Sequence, residues 1–164
     1  MFEKTLGYLF KRVRVKPRVV LEIRHEKTTD ALLAHEWAQP TEIGRNEIKE
    51  CLPSIAWRKG AQGTIVEVIW RAELVGHYGI AGSSAHQIVG KVSLLEPTKR
   101  RLMASREFIG SPPPAQIYRL PSDRSSPQSV GGAYPLAEIC RWLASLYEQA
   151  DVGEKSAAQG ARLP

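Results

Sequence analysis

Between residues 63 and 109 the chain alternates apolar and polar residues with a period of two, in three successive runs. In "GTIVEVIWRAEL" the residues Val66, Val68, Trp70 and Ala72 share one face. After the small-residue loop "GIAGSSA", the run "HQIVGKVSLL" sets Ile88, Val92 and Leu94 against Gln87, Lys91 and Ser93. "EPTKRR" supplies a turn, and "LMASREFI" returns as the third run. Successive side chains of a strand point to opposite sides, so such runs are strands with one buried face. Short connections between consecutive strands favour antiparallel pairing, and 63–109 is therefore expected to be a β-meander.

A sheet with one apolar face needs a cover. Leu136, Ile139, Cys140, Leu143, Leu146 and Tyr147 form the apolar stripe of a helix, with Pro135 suited to its first position and Glu138 in its first turn. This helix is the obvious partner of the meander. Upstream, "RVVLEIRH" at 18–25 has strand alternation, with Val19, Leu21, Ile23 and His25 on one side and Val20, Glu22 and Arg24 on the other. Leu32, Leu33, Glu36 and Trp37 have helical spacing after a Thr29 cap, and Pro40 cuts that run short. A second short helix is expected at 46–52, with Asn46 as N-cap, Glu47 in its first turn and Pro53 beyond its end. The fold class is α+β: an antiparallel meander or sheet of about four strands packed against a C-terminal helix, with a short amphipathic N-terminal element. The expected division is an arm at 1–17, one domain at 18–150 and a mobile tail at 151–164. Within the domain, 110–134 is a loop rich in Pro, Ser and Gly.

Charge separates the arm from the body. Of the formal net charge of +6, five units fall in the first eighteen residues, where Lys4, Lys11, Arg12, Arg14, Lys16 and Arg18 face the single acid Glu3. Phe2, Leu6, Leu9, Phe10 and Val13 follow one helical stripe. The pattern predicts a short helix at 2–10 and then an extended piece stopped by Pro17, while the alternation over 11–16 also suits a charged edge strand. Bases beside a narrow apolar stripe are the composition of a surface-docking element. The arm, Phe2, Lys4, Leu6, Leu9, Phe10, Lys11, Arg12, Arg14, Lys16 and Arg18, is the candidate binding site. Its expected partner is a protein assembly or a second copy, or an anionic membrane surface. Nucleic-acid phosphates rank below these, because the apolar stripe has no task there. The structural alternative is an ordinary first helix packed on its own domain.

No catalytic, cofactor or metal signature stands out, and no cofactor or small-molecule substrate is expected. His77 and His86 flank "YGIAGSSA" with Ser83 and Ser84 between them, so an enzyme with a loop-built site near His77 and His86 is the third functional reading. A serine nucleophile also needs an orienting acid and oxyanion donors, which nothing nearby in sequence supplies. Cys51 and Cys140 lie 89 positions apart without a CxxC, and the expectation is two buried free thiols. The lack of a secretory pattern or of a long apolar run gives a cytoplasmic expectation, with peripheral association at the inner membrane face. The proline run at 112–114 is expected to stiffen the exit of the third strand, and Lys99-Arg100-Arg101 to be a solvated turn.

The order of motifs resembles an uncharacterised bacterial domain. Its pattern runs from a G-T-V-V strand through a V-G-x-Y loop and a V-x-L-[ILV]-[DE] hairpin to F-x-G-x-P-P, closing with an E-I-x-x-[WY]-L-x-x-L helix. Here the matching pieces are Gly63-Thr64-Ile65-Val66, Val75-Gly76-His77-Tyr78, Val92 to Glu96, Phe108 to Pro113, and Glu138-Ile139 with Trp142-Leu143. The resemblance covers roughly 50–149, implies the fold and carries no activity. His77 departs from the small or hydroxyl residue usual at that loop position.

Overall fold

The computed structural model describes residues 13–26, 42–60, 62–79, 83–117 and 129–147. They form β1 (Val19–His25), α1 (Arg45–Glu50), a 3-10 turn (Ser54–Trp57), β2 (Thr64–His77), β3 (Ser84–Leu95), β4 (Leu102–Ile109) and β5 (Ser129–Gly131). A second helix, α2, spans 136–147. The α+β class, the meander and the C-terminal helix are as the sequence predicts. The expected helices at 2–10 and around 29–37, with Leu32, Leu33, Glu36 and Trp37, lie outside the described residues, as do His35 and the tail at 151–164.

Among the described residues the sheet has five strands, in the order β1-β2-β3-β4 with β5 beside β3. β2 and β3 pair antiparallel with Val66 opposite Leu94, Val68 opposite Val92 and Trp70 opposite Gly90. β3 and β4 pair antiparallel as well. The sheet is nevertheless mixed rather than antiparallel throughout, because β1 joins β2 parallel, with Leu21 opposite Val66. The physical reason is the connection: parallel neighbours need a long crossover, and the chain between β1 and β2 holds α1 and the 3-10 turn. β5 likewise lies parallel to β3, through Ser84 to His86.

β4 and β5 share one edge of β3, and the chain crosses itself where one hands over to the other. Gly110 N–H donates to Ile88 O (2.7 Å), and Gly132 N–H donates to His86 O (3.1 Å). A side-chain carbon at Gly110 would fall 2.0 Å from the Ala133 carbonyl oxygen, and one at Gly132 would fall 1.9 Å from that of Ser111. Only glycine permits such close backbone approach. Ser111 Oγ completes the crossing by accepting from Ala133 N–H at 2.9 Å.

The buried face gathers Leu21, Ile23, Val66, Val68, Trp70, Ile88, Val92 and Leu94 against Ile139, Leu143 and Tyr147 of α2. Trp70 is fully buried, meets the Tyr134 ring edge-on at 4.8 Å and donates its indole N–H to Ile43 O. α1 begins at Arg45 and its N-cap is Gly44, not Asn46. The backbone of Gly44 is left-handed (φ 76°), and the Leu136 and Trp70 side chains crowd the space where a Cβ would stand. Packing selects the start of this helix; a polar cap does not.

The cysteines are not free. Cys51, just after α1, and Cys140, in α2, form a disulfide with Cα atoms 5.4 Å apart. The two helices cover the same sheet face, and that shared layer brings together residues 89 positions apart.

The outer face carries ion pairs. Glu67 meets Arg24 and Arg100, and Arg100 also pairs with Glu22 through both carboxylate oxygens (3.0 and 2.7 Å). The basic turn is thus only partly a solvated one: Lys99 and Arg101 stand exposed, while Arg100 folds back across the sheet to β1. Toward the other end, Arg71 joins Glu73 (2.8 Å) and Glu107 (2.6 Å).

Candidate functional site

Of the ten predicted arm residues, Phe2, Lys4, Leu6, Leu9, Phe10, Lys11 and Arg12 lie outside the described residues; Arg14, Lys16 and Arg18 are described. Residues 13–16 have no regular secondary structure. Val15 is fully buried in the main core and Val13 packs against it, while Lys16 is exposed. The charged edge strand that the alternation over 11–16 also suits is not formed by residues 13–16, whose side chains run half-buried, half-buried, buried and exposed. Lys16 N–H donates to the fully buried Thr64 Oγ1 at 2.9 Å, which ties this segment to the first residue of β2. Arg18 O then accepts from Gly63 N–H at 3.1 Å. The backbone at Arg18 is left-handed (φ 68°), an unusual state for a side-chain-bearing residue. Its guanidinium stem lies over Gly60, where an added Cβ would stand 2.9 Å from Arg18 Cζ. Residues 13–18 are therefore fixed to the sheet, with Arg14 half-buried and Lys16 and Arg18 facing solvent.

The second cluster sits at the opposite end, where β2 turns into β3. His77 is paired with Ser84, and His86 stands two residues along β3. His86 Nε2 and Ser84 Oγ are 2.8 Å apart, and Ser84 Oγ is 3.3 Å from Ser129 Oγ of β5. The sequence reading placed His77, Ser83, Ser84 and His86 at one hairpin mouth, and the structure brings Ser84 and His86 into direct contact. His86 is buried; that burial, and secondarily the neighbouring His77, holds its imidazole below the ordinary value of 6.5.

Proton placement decides what the pair can do. His86 Nδ1 is buried and has no hydrogen-bond partner among the described residues. A bare lone pair is a cheaper orphan than a buried N–H, so the favoured tautomer carries its proton on Nε2 and donates it to Ser84 Oγ. An activated serine needs the reverse, with Nε2 accepting from the hydroxyl and Nδ1–H held by an acid. The geometry is that of a clasp between β3 and β5. Tyr78 adds a second tie, its hydroxyl donating to Pro114 O at 2.7 Å and holding the proline run to the hairpin end.

Among the described residues no group of three or more His, Cys, Asp or Glu is placed to hold a metal ion. No helix among them is long and apolar enough to cross a membrane. The functional features that sequence reasoning missed are the disulfide, the Arg100 ion pairs and β5. Glu22, Glu67 and Arg100 could have signalled the ion pairs only once the register of β1 was known.

No family model matches the chain, and no curated protein matches it. Among solved structures, a Xanthomonas campestris protein of the DUF330 family is similar at 16% identity and a TM-score of 0.35, over 90% of this chain and 86% of its own. A chain from Caulobacter crescentus CB15, named as a candidate lipoprotein, is similar at 9% identity and a TM-score of 0.29, over 88% of this chain and 93% of its own. Likeness at that level fixes neither the fold nor a function.

Proposed function

We propose that this protein is a non-enzymatic interaction module that docks through its basic, amphipathic N-terminal arm onto a larger protein assembly or an anionic membrane surface. The observation that carries the reading is the burial of Val15 in the core, with Lys16 N–H bonded to Thr64. A segment fixed in this way gives the arm a firm attachment to the sheet from Val13 onward. The composition of the arm supports the same reading, since Phe2, Leu6, Leu9 and Phe10 give an apolar stripe and Lys4, Lys11 and Arg12 flank it with charge.

The Cys51–Cys140 disulfide favours an oxidising compartment over the cytoplasm, because cytoplasmic thiols of mesophiles are kept reduced. The Ser84–His86 pair gives the enzyme reading no support, given its proton placement.

The test uses the full-length chain with two sets of arm substitutions. Lys4→Gln, Lys11→Gln and Arg12→Gln remove charge; Phe2→Ser, Leu6→Ser, Leu9→Ser and Phe10→Ser remove the stripe. Self-assembly by light scattering and sedimentation with anionic vesicles are measured for each. Arm docking predicts that the stripe variant loses the attachment shown by the native chain. Attachment equal to native in both variants overturns the reading. Binding to duplex DNA that needs the bases and not the stripe replaces it with the nucleic-acid alternative.

A further inference from the structure

The end of the sheet at which β2 begins is strongly basic. β1 and β2 start there because they run parallel, and β3 hands over to β4 there through the turn at 96–101. Residues 16–18, the loop at 58–60 and that turn thus reach one end of the fold from three separate parts of the chain. Their exposed bases are Lys16, Arg18, Arg58, Lys59, Lys99 and Arg101. The contact of Arg18 with Gly60 joins the first two groups directly. None of the six forms an ion pair with a described residue; Arg100, on the same turn, is neutralised by Glu22 and Glu67.

The local acid is Glu96, whose two oxygens accept from Thr98 N–H and Lys99 N–H at 2.9 Å each and which also feels the charge of Arg101. Lys49 and Glu50, at the end of α1 near Trp57, offset each other. Two exposed apolar side chains belong to the same stretches of chain. Ile55 is 47% exposed on the 3-10 turn, where its carbonyl accepts from Arg58 N–H, and Leu102 is 58% exposed beside Arg101.

We infer that this end of the sheet is a second contact surface for an anionic phospholipid leaflet, acting together with the arm; the inference rests on the arm-docking reading and places its partner. Exposed bases, none in an ion pair with a described residue, together with the exposed aliphatic side chains of Ile55 and Leu102 suit a lipid interface, where charge meets headgroups and aliphatic groups enter the acyl boundary. A phosphate backbone gives such aliphatic side chains nothing to enter. An oxidising compartment, as the disulfide favours, also presents membrane leaflets more readily than nucleic acid.

The experiment measures partition of full-length protein onto vesicles of phosphatidylcholine containing phosphatidylglycerol, with phosphatidylcholine alone as reference. One variant carries Arg58→Gln, Lys59→Gln, Lys99→Gln and Arg101→Gln with the arm intact; a second carries Ile55→Ser and Leu102→Ser. A third, Arg58→Lys with Arg101→Lys, keeps the charge. Circular dichroism checks the fold of each. The surface predicts a loss of roughly fivefold per base removed at low salt, a clear loss for the aliphatic variant and native partition for the charge-keeping one. Native partition of the four-Gln variant overturns the surface while leaving the arm reading standing. Loss in the four-Gln variant with native partition of the arm variants overturns the arm reading and with it the joint action inferred here, and leaves the sheet end as the attachment surface on its own. Tighter binding of the native chain to duplex DNA than to the vesicles overturns the lipid assignment.

Discussion

Gly90 lies directly against the Trp70 indole on the neighbouring strand, where a side-chain carbon would fall 2.5 Å from Trp70 Cζ3. The indole lies across the middle of the sheet, and the space left by the missing side chain is what lets it reach Tyr134 and Ile43. Gly90→Ala is expected to destabilise the protein by about 1–3 kcal/mol through overpacking. Urea unfolding followed by tryptophan fluorescence checks this; an unchanged midpoint would mean that the indole is free to move.

The disulfide joins the two helical pieces that cover the sheet. Cys51→Ala with Cys140→Ala, or reduction by dithiothreitol, is expected to lower stability by about 2–4 kcal/mol, since the bridge closes a long loop in the unfolded chain. Thiol alkylation followed by intact-mass measurement on native protein gives the redox state directly. Two alkylated thiols in the protein from its own compartment would remove the argument for an oxidising environment.

His86 makes stability depend on pH. Its folded-state pKa lies below its ordinary value, so the unfolded chain takes up the proton first and stability rises with pH. The His86 contribution is fully present above about 6.5 and is lost as pH falls below that value toward the lower folded-state pKa. His86→Gln is expected to flatten this part of the profile, whatever it does to absolute stability. Urea midpoints at pH 7.5 and 5.0 for both proteins make the comparison. A slope that persists in the variant assigns the effect to another group.

Arg100 has a left-handed backbone (φ 51°) and holds Glu22 with both of its terminal nitrogens, pulling the Glu22 carboxyl below its ordinary range chiefly through that hydrogen bond. Two effects therefore oppose each other on substitution. Arg100→Ala loses the ion pairs and keeps the strained φ, whereas Arg100→Gly loses the pairs and relieves the strain. The expected order of thermal midpoints is Arg100→Ala below Arg100→Gly; the reverse order would show that the turn adopts another conformation in solution.

These relationships divide by how local their causes are. The meander and α2 were legible because alternation over 64–109 and the stripe from Leu136 to Tyr147 are local patterns, and the structure buries the faces they mark. The parallel pairing of β1 was not, because strand direction is set by the length and path of the connection rather than by anything in "RVVLEIRH". The Cys51–Cys140 pairing and the Glu22–Arg100 contact span 89 and 78 positions and exist only once α1, α2 and the sheet are assembled. The hairpin-mouth cluster was half legible: spacing brought His77, Ser84 and His86 together, but the burial that leaves His86 Nδ1 without a partner among the described residues comes from tertiary packing. The basic sheet end is not legible for the same reason, since its charges come from three stretches distant in sequence that only the assembled sheet brings to one end.

The most direct test of the central claim, that arm and sheet end attach this protein to an anionic membrane, is vesicle co-sedimentation of the full-length chain. Native protein is compared with the chain carrying Phe2→Ser, Leu6→Ser, Leu9→Ser and Phe10→Ser, on phosphatidylglycerol-containing and on pure phosphatidylcholine vesicles. The account predicts that native protein sediments with the anionic vesicles alone and that the folded variant stays in the supernatant. Equal sedimentation of the two chains, or no sedimentation of either, contradicts it.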